Sequence, residues 1–234
     1  MRNFSLMILA AGFGTRMKNL TKNKPKPLIK IKNQPLIGNT IDFFEKIGCN
    51  KFIINTHYLH KQIDDYVKEF YSKKNINLIF EPKILDTGGG VKNAINFFDN
   101  KNFLVTNSDI LWRENNFTDI KNFITNIDNV INCSLLLSKK SNTIGIEKKN
   151  GDFAFEKSKL RRWKINDPLI FYSGLQILNP IIFENFHFKK FSINHIWDKL
   201  INEKELEGYI MNSNLYHIGD INTFNKIKDN LSLE

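Results

Sequence analysis

Cysteine is nearly absent from this chain: its 234 residues contain two, Cys49 and Cys133. They lie far apart, without the close spacing that holds a metal, and each sits among apolar neighbours. Both read as buried thiols in a reducing compartment, the cytoplasm, rather than as a disulfide framework. Long apolar runs are missing as well. The longest, residues 6–11, falls far short of the roughly 20 residues that cross a bilayer, and it leads into glycine rather than a cleavage site. Neither a membrane span nor a secretory signal is expected. Arginine is scarce, with five against 29 lysines, yet basic residues outnumber acidic ones by 34 to 24, for a formal charge of +10. Such a surplus points to an anionic partner: nucleic acid, anionic membrane or phosphorylated metabolite. No stripe of basic and aromatic residues and no nucleic-acid motif accompanies it, so nucleic acid is not the expected partner. Most of the lysines read as solvated surface.

Repeats of 20–50 residues and Gly/Ser/Pro linkers are also lacking. The sequence therefore predicts one domain over 1–234, with a first half (about 1–110) and a less regular second half (about 111–234). In the first half, strand signals at 5–9, 52–55, 78–80 and 103–106 alternate with helix signals. Pro35 opens a helix carrying Ile37, Ile41 and Phe44, which Gly48 closes. Leu59, Ile63, Tyr66, Val67 and Phe70 mark a second helix, and Val91, Ala94, Ile95 and Phe98 a third. This alternation predicts βαβ units and an α/β fold: a Rossmann-like three-layer sandwich on a mostly parallel mixed sheet. In the second half, strands are predicted at 134–137, 170–177, 209–211 and 216–218. Ser192 reads as the N-cap of a helix bearing Ile193, Ile196, Trp197, Leu200 and Ile201, and Phe224, Ile227 and Leu231 mark a closing helix.

What is there in abundance is chemistry in residues 9–28. A buried strand runs into Ala10-Ala11-Gly12-Phe13-Gly14-Thr15-Arg16-Met17, and Lys24-Pro25-Lys26-Pro27-Leu28 follows. Small residues at 10–12 and glycine at 14 let backbone N–H groups approach an anion. Arg16 offers a fork of donors to phosphate oxygens, and Lys26 a point charge fixed between two prolines. A P-loop would need Lys-Ser/Thr after its last glycine, and the dinucleotide fingerprint a third glycine where Met17 stands; neither fits.

This segment resembles the signature of the sugar-1-phosphate nucleotidyltransferases, Leu-Ala-Ala-Gly-x-Gly-Thr-Arg-Met followed by Pro-Lys-Pro-Leu, nearly residue for residue. Asn55-Thr56-His57-Tyr58-Leu59 with Gln62-Ile63 is similar to the second strand and helix of that family. Asp86-Thr87-Gly88-Gly89-Gly90-Val91-Lys92 is similar to its second glycine loop, and Asn107-Ser108-Asp109 to its metal motif. The Thr-Gly-Gly-Gly form, with Gly151-Asp152-Phe153 and Tyr172-Ser173-Gly174, most resembles the short N-acetylmuramate α-1-phosphate uridylyltransferases. Relatives of that subgroup are often labelled mannose-1-phosphate guanylyltransferases.

The resemblance implies attack by a sugar 1-phosphate on the α-phosphorus of a nucleoside triphosphate, with pyrophosphate leaving. The partners implied are an NTP, foremost UTP, and a sugar 1-phosphate, foremost N-acetylmuramate α-1-phosphate in peptidoglycan recycling. The alternatives are another NTP and acceptor, such as GTP with mannose 1-phosphate, and a nucleotide-sugar sensor without turnover. Arg16 and Lys26 would be the catalytic cations. Ala10, Ala11, Gly12, Gly14, Thr15, Thr87, Gly88, Gly89, Asn107, Asp152 and Gly174 would line the substrate sites, and Asp109 would ligate Mg²⁺, with Mn²⁺ as an alternative. A tight packing turn is the competing reading of residues 88–90.

One position departs from the family pattern. Many members carry a second metal-binding aspartate two residues before a Gly-Thr; here Tyr216-His217-Ile218-Gly219-Asp220 puts histidine in its place. Imidazole suits Mn²⁺, Co²⁺ or Zn²⁺ better than Mg²⁺. His217 as a metal ligand, His217 as a phosphate donor, and Asp220 as the replacement all remain open at this stage. Lys157, Arg161 and Arg162 fall in the sugar-phosphate region or form a solvated turn. The other histidines have no ligand spacing. The chain ends without hexapeptide repeats, the family's usual trimerisation device, so a monomer or homodimer is expected.

Overall fold

The structure is a computed structural model that describes residues 3–184 and 186–232. In chain order its elements are β1 Phe4–Leu9, β2 Lys30–Ile31, β3 Gln34–Pro35, α1 Leu36–Lys46, β4 Cys49–Thr56, α2 His60–Tyr71, β5 Ile76–Phe80, α3 Asp86–Asn93, β6 Phe103–Asn107, α4 Phe117–Thr125, β7 Cys133–Lys139, β8 Thr143–Ile144, β9 Phe153–Glu156, β10 Lys159–Arg162, β11 Ile170–Leu178, α5 Asn194–Asn202, β12 Glu207–Met211, β13 Leu215–Tyr216 and α6 Ile221–Ser232. The sheet runs β5-β4-β1-β6-β11-β7-β12, and β9 joins the other end of β11 with β10 beyond it. β1 pairs in parallel with β4 and β6, β4 with β5, and β7 with β12, while β11 is antiparallel to β6, β7 and β9.

The uninterrupted apolar run of β1 has a direct cause: both faces of the strand are covered. Leu6 and Ile8 enter a core with Ile37, Ile41 and Phe44 of α1, Ile63 and Val67 of α2, and Ile120 and Phe123 of α4. Met7, pointing the other way, packs in a second core with Val91 of α3 and Ile196, Trp197 and Leu200 of α5. The result is the three-layer α/β sandwich expected from the alternation of strands and helices. Cys49 and Cys133 are both buried free thiols, and burial pushes both pKa values up.

Three local features differ from expectation. Helix α4 has no counterpart in the sequence reading: its apolar positions are spaced for a helix, but residues 114–129 are rich in Asn, Asp and Thr, which favour turns. The β9–β10 hairpin turns at Lys157 with φ 57°, a residue type that gives no turn signal. Helix α3 starts at Asp86, so the three glycines lie inside its first two turns rather than in a loop before it. The side chain of Leu231, named as a marker of the closing helix, lies outside the described residues. Among the described residues, no helix is long and apolar enough to cross a membrane.

Chain order fixes where a ligand fits. From β1 the chain builds outward through β4 and β5, then returns to place β6 on the opposite side of β1. Crevices in open α/β sheets form at such a reversal, outside the carboxyl ends of the strands. Here those ends are Leu9 and Asn107, which are paired across β1 and β6.

Candidate active site

A cleft of about 430 Å³ opens at this reversal, lined by residues 9–16, Lys26, Asn107, Ser108, Asp109 and Gly219 among others. Past Leu9 the chain leaves the sheet, and Ala10 N–H donates to Asn55 Oδ1 (2.9 Å). The backbone N–H groups of Ala11, Gly12, Phe13 and Gly14 then have no partner among the described residues. A Cβ at Gly12 would meet nothing within 4 Å, so no packing contact requires glycine there. Gly14 is different. It has φ 68°, and a Cβ would stand 2.9 Å from Lys26 Cβ, so the missing side chain lets Lys26 lie against the loop.

Lys26 begins a 3-10 turn over Lys26–Leu28 and is 8% exposed. Its Nζ lies 2.7 Å from Asp109 Oδ2 and 3.4 Å from Gly219 O. Arg16 is exposed, makes no hydrogen bond or ion pair among the described residues, and passes over Gly219. The loop thus presents open N–H donors, one unpaired guanidinium and one buried ammonium.

Asp109 follows β6 and is pinned from the C-terminal side. Ile218 N–H donates to Asp109 O (2.8 Å), and Ile110 bridges His217. This brings His217 Nε2 to 3.5 Å from Asp109 Oδ2, while His217 Nδ1 faces Gly145 O at 3.4 Å. Burial alone would push the Asp109 carboxyl up, but Lys26 and then His217 outweigh it and hold it far below the usual carboxylate range. Asp109 Oδ1 is buried with no hydrogen-bond partner among the described residues. Asp220 stands apart from this group: it caps α6, accepting from Thr223 N–H (2.9 Å). That backbone bond, opposed by partial burial, lowers its pKa.

The orphaned Oδ1 tests the metal implied by the sequence. A buried carboxylate oxygen with no donor, beside an imidazole whose second nitrogen faces a carbonyl, fits a divalent cation. Among the described residues, no group of three or more His, Cys, Asp or Glu could hold a metal. Asp109 and His217 would therefore hold an ion only together with ligand oxygens, as suits a cation that arrives with phosphates.

The second glycine run has another purpose. The N–H groups of Gly88 and Gly89 both donate to Phe191 O (2.9 and 3.0 Å), Thr87 N–H is taken by Asp86 Oδ1, and Thr87 Oγ1 accepts from Ile193 N–H. The N–H donors of Gly88 and Gly89 are thus taken by the chain around Phe191, and that of Thr87 by the neighbouring Asp86 side chain. A Cβ would stand 2.4 Å from the Phe191 ring at Gly88, 2.4 Å from Lys189 O at Gly89, and 2.8 Å from Asn55 Nδ2 at Gly90. Gly88 and Gly89, expected to line the substrate sites, pack α3 against the 189–193 segment in this structure and are not among the residues lining the cleft. Thr87 does border the cleft.

A second cavity of about 280 Å³ shares Leu9, Asp86, Thr87 and Asn107 with the cleft. Asp152 lies there, accepting from Lys148 Nζ (2.9 Å) and Tyr172 N–H (3.1 Å). Arg162 also faces it, stacked over Phe153 and bonded to Asp198 (2.7 Å) and Asn194 (2.9 Å). Arg161, next in sequence, instead forks onto Asp167 at the adjoining turn. Gly174 is outside both cavities: it has φ 91°, and a Cβ would meet Ile110 at 2.7 Å. Its conformation supports the segment that carries Asp109. Sequence reasoning missed Asn55, Glu81 and Lys148 as members of these sites. A polar residue ending an otherwise apolar strand was the available signal for the first.

The comparisons with known proteins show the family and the fold. An N-acetylmuramate alpha-1-phosphate uridylyltransferase of Caulobacter vibrioides is 26% identical over 222 residues, 92% of this chain and 91% of that protein. The one from Neisseria meningitidis is 37% identical over 108 residues, 45% and 46% of the two chains. Mannose-1-phosphate guanyltransferase 2 of Candida glabrata is 27% identical over 226 residues, 88% of this chain and 60% of its own length. Among solved structures, HddC from Yersinia pseudotuberculosis complexed with GMP-PN superposes with a TM-score of 0.77 at 22% identity, covering 97% and 99% of the two chains, and shares the fold. A nucleotidyl transferase family model matches residues 5–145, and the chain belongs to that family.

Proposed function

We propose that the protein transfers UMP from UTP to N-acetylmuramate α-1-phosphate and releases pyrophosphate. The observation that carries this reading is the pairing of two adjoining spaces. One has open backbone N–H groups with Arg16, Lys26 and Asp109, and the other has Lys148 and Arg162. A sugar 1-phosphate that also bears a carboxylate offers an anion to each space. The relative similar along nearly its whole length, named for that substrate, supports the choice.

An oxygen of the acceptor phosphate forms the new bond to the α-phosphorus, and the bond to the bridging oxygen of the leaving pyrophosphate breaks. The nucleophile is already an anion, so no base has to remove a proton. The demand is to bring polyanions together and to neutralise charge that moves onto the leaving group. Arg16, unpaired at the rim, meets the β- and γ-phosphates. Lys26, at the base of the loop, exchanges Asp109 for the α-phosphate and the incoming phosphate. The N–H groups of Ala11–Gly14 hold the triphosphate in line. A divalent ion, held by Asp109 and His217 with phosphate oxygens, would supply further neutralisation of the leaving group. Asp152 and Arg162 orient the sugar. The same reading places the protein in the cytoplasm, as a monomer or homodimer.

The test is pyrophosphate release from each NTP against a panel of sugar 1-phosphates, with Mg²⁺ and with Mn²⁺. The highest kcat/KM is expected for UTP with N-acetylmuramate α-1-phosphate. A preference for GTP with mannose 1-phosphate overturns the substrate assignment. Tight binding of a nucleotide sugar without turnover in any pair means a sensor.

A further inference from the structure

Two buried polar side chains tie the cleft's two edges together, and we infer that Asn55 and Glu81 are positioning residues that set the first loop and the start of α3 at the spacing the nucleotide needs. The proposal rests on the nucleotidyl-transfer reading of the cleft. Asn55 is 3% exposed and Glu81 1%. Ala10 N–H donates to Asn55 Oδ1 (2.9 Å), Asn55 Nδ2 donates to Glu81 Oε1 (2.8 Å), and Leu85 N–H donates to Glu81 Oε2 (3.0 Å). The orientation of the Asn55 amide is fixed, because Ala10 N–H can only donate and a carboxylate oxygen can only accept. The chain of bonds thus runs from the first residue past β1, through Asn55 near the end of β4 and Glu81 just past β5, to the residue before α3.

The polar composition is informative. Glu81 has no cation beside it among the described residues, and burying a carboxylate near a polyanion site is costly. Two apolar side chains would fill the same volume at lower cost. What they would not supply is a single hydrogen-bond pattern that fixes the separation of two loops. The fit extends to α3: a Cβ at Gly90 would stand 2.8 Å from Asn55 Nδ2 and 2.9 Å from Glu81 Oε1. From outside, His57 Nδ1 meets Glu81 O at 2.6 Å, and Glu81 N–H donates to Thr56 O. The backbone of Glu81 is therefore held while its carboxylate spans the gap.

The pattern can be inverted without changing its shape. Asn55→Asp leaves the Ala10 bond but sets two carboxylates against each other. Glu81→Gln leaves one amide donor facing another. In the double variant every bond returns. The carboxylate introduced by Asn55→Asp accepts from Ala10 N–H and from the amide introduced by Glu81→Gln, and the oxygen of that amide accepts from Leu85 N–H. Two readouts apply to all three variants, which are pyrophosphate release and hydrogen exchange of the Ala10 and Leu85 amides in the ligand-free protein. Each single variant is expected to raise the NTP KM about tenfold, the scale of one charge-assisted hydrogen bond, with the acceptor KM within about twofold. Glu81→Gln is expected to speed exchange at Ala10, which it does not touch. The double variant restores both readouts. Losses that simply add in the double variant, or Ala10 exchange unchanged in Glu81→Gln, overturn the proposal. If the unaltered protein releases no pyrophosphate from any pair, the functional reading fails, and the exchange pattern alone still decides the brace.

Discussion

Two stretches of this protein are rich in glycine, and they are glycine for opposite reasons. At residues 10–14 the backbone N–H groups after Ala10 are unpaired among the described residues and Gly12 faces open space, while at residues 88–90 every glycine touches protein and the helix donors are already taken. A helix N-terminus is a ready anion site only while its N–H groups are free, and in α3 Phe191 O and Asp86 occupy them. Glycine content alone does not distinguish a binding loop from a packing helix. The fate of the donors does.

That contrast predicts where substitutions act. Asp109→Ala, at the end of the open loop's cleft, is expected to lower pyrophosphate release by about three orders of magnitude or more, since it removes the orphaned oxygen and the partner of Lys26. His217→Ala is expected to lower it by about ten- to a hundredfold. Equal losses in steady-state assays would make His217 as essential as Asp109. Next come the glycines themselves. Gly89→Ala forces a Cβ against a backbone carbonyl and is expected to cost about 2–3 kcal/mol in urea unfolding. Gly12→Ala is expected to stay within about 0.5 kcal/mol of the parent while raising the NTP KM. The reverse assignment of these two phenotypes would break the comparison.

Smaller effects are expected at the second cavity. Arg162→Ala should raise the acceptor KM about tenfold, the loss of one charge-assisted contact, and Arg161→Ala should leave both KM values unchanged. The Arg161 fork, aided by Lys164 N–H, holds the Asp167 carboxyl down at about 2. A lowered carboxylate pKa stabilises above the ordinary aspartate range and stops doing so as pH falls toward 2. The thermal-midpoint difference between the parent and Arg161→Ala is therefore small at neutral pH, because the half-buried pair remains within reach of solvent, and vanishes in acid. Raising salt from 50 to 500 mM should raise KM values by less than about threefold, as screening of a few contacts requires. A steep slope, as a polyanion binder would give, would reassign the +10 surplus.

Much of this was legible in residues 5–109. Alternating runs with clear turns predicted the parallel core, and the pattern from Leu9 to Leu28 placed Arg16 and Lys26 in one cleft with Asp109. The second half was harder to read. Helix α4 lies in Asn- and Asp-rich sequence, and the β9–β10 turn is made by Lys157. What α3 does with its glycines depends on Phe191, about a hundred residues downstream, which no local pattern reveals. Backbone pairing across Ile110 and Ile218, which no local pattern reveals, sets His217 beside Asp109 and leaves Asp220 to cap α6.

The contrast between the two glycine stretches can be observed residue by residue. Titration of the ¹⁵N-labelled protein with UTP and Mg²⁺, followed by backbone amide NMR, is predicted to shift the resonances of Ala11, Gly12, Phe13 and Gly14. Those of Gly88 and Gly89 are predicted to stay in place and remain protected from exchange. Shifts at Gly88 and Gly89, with the first loop unmoved, would contradict the account.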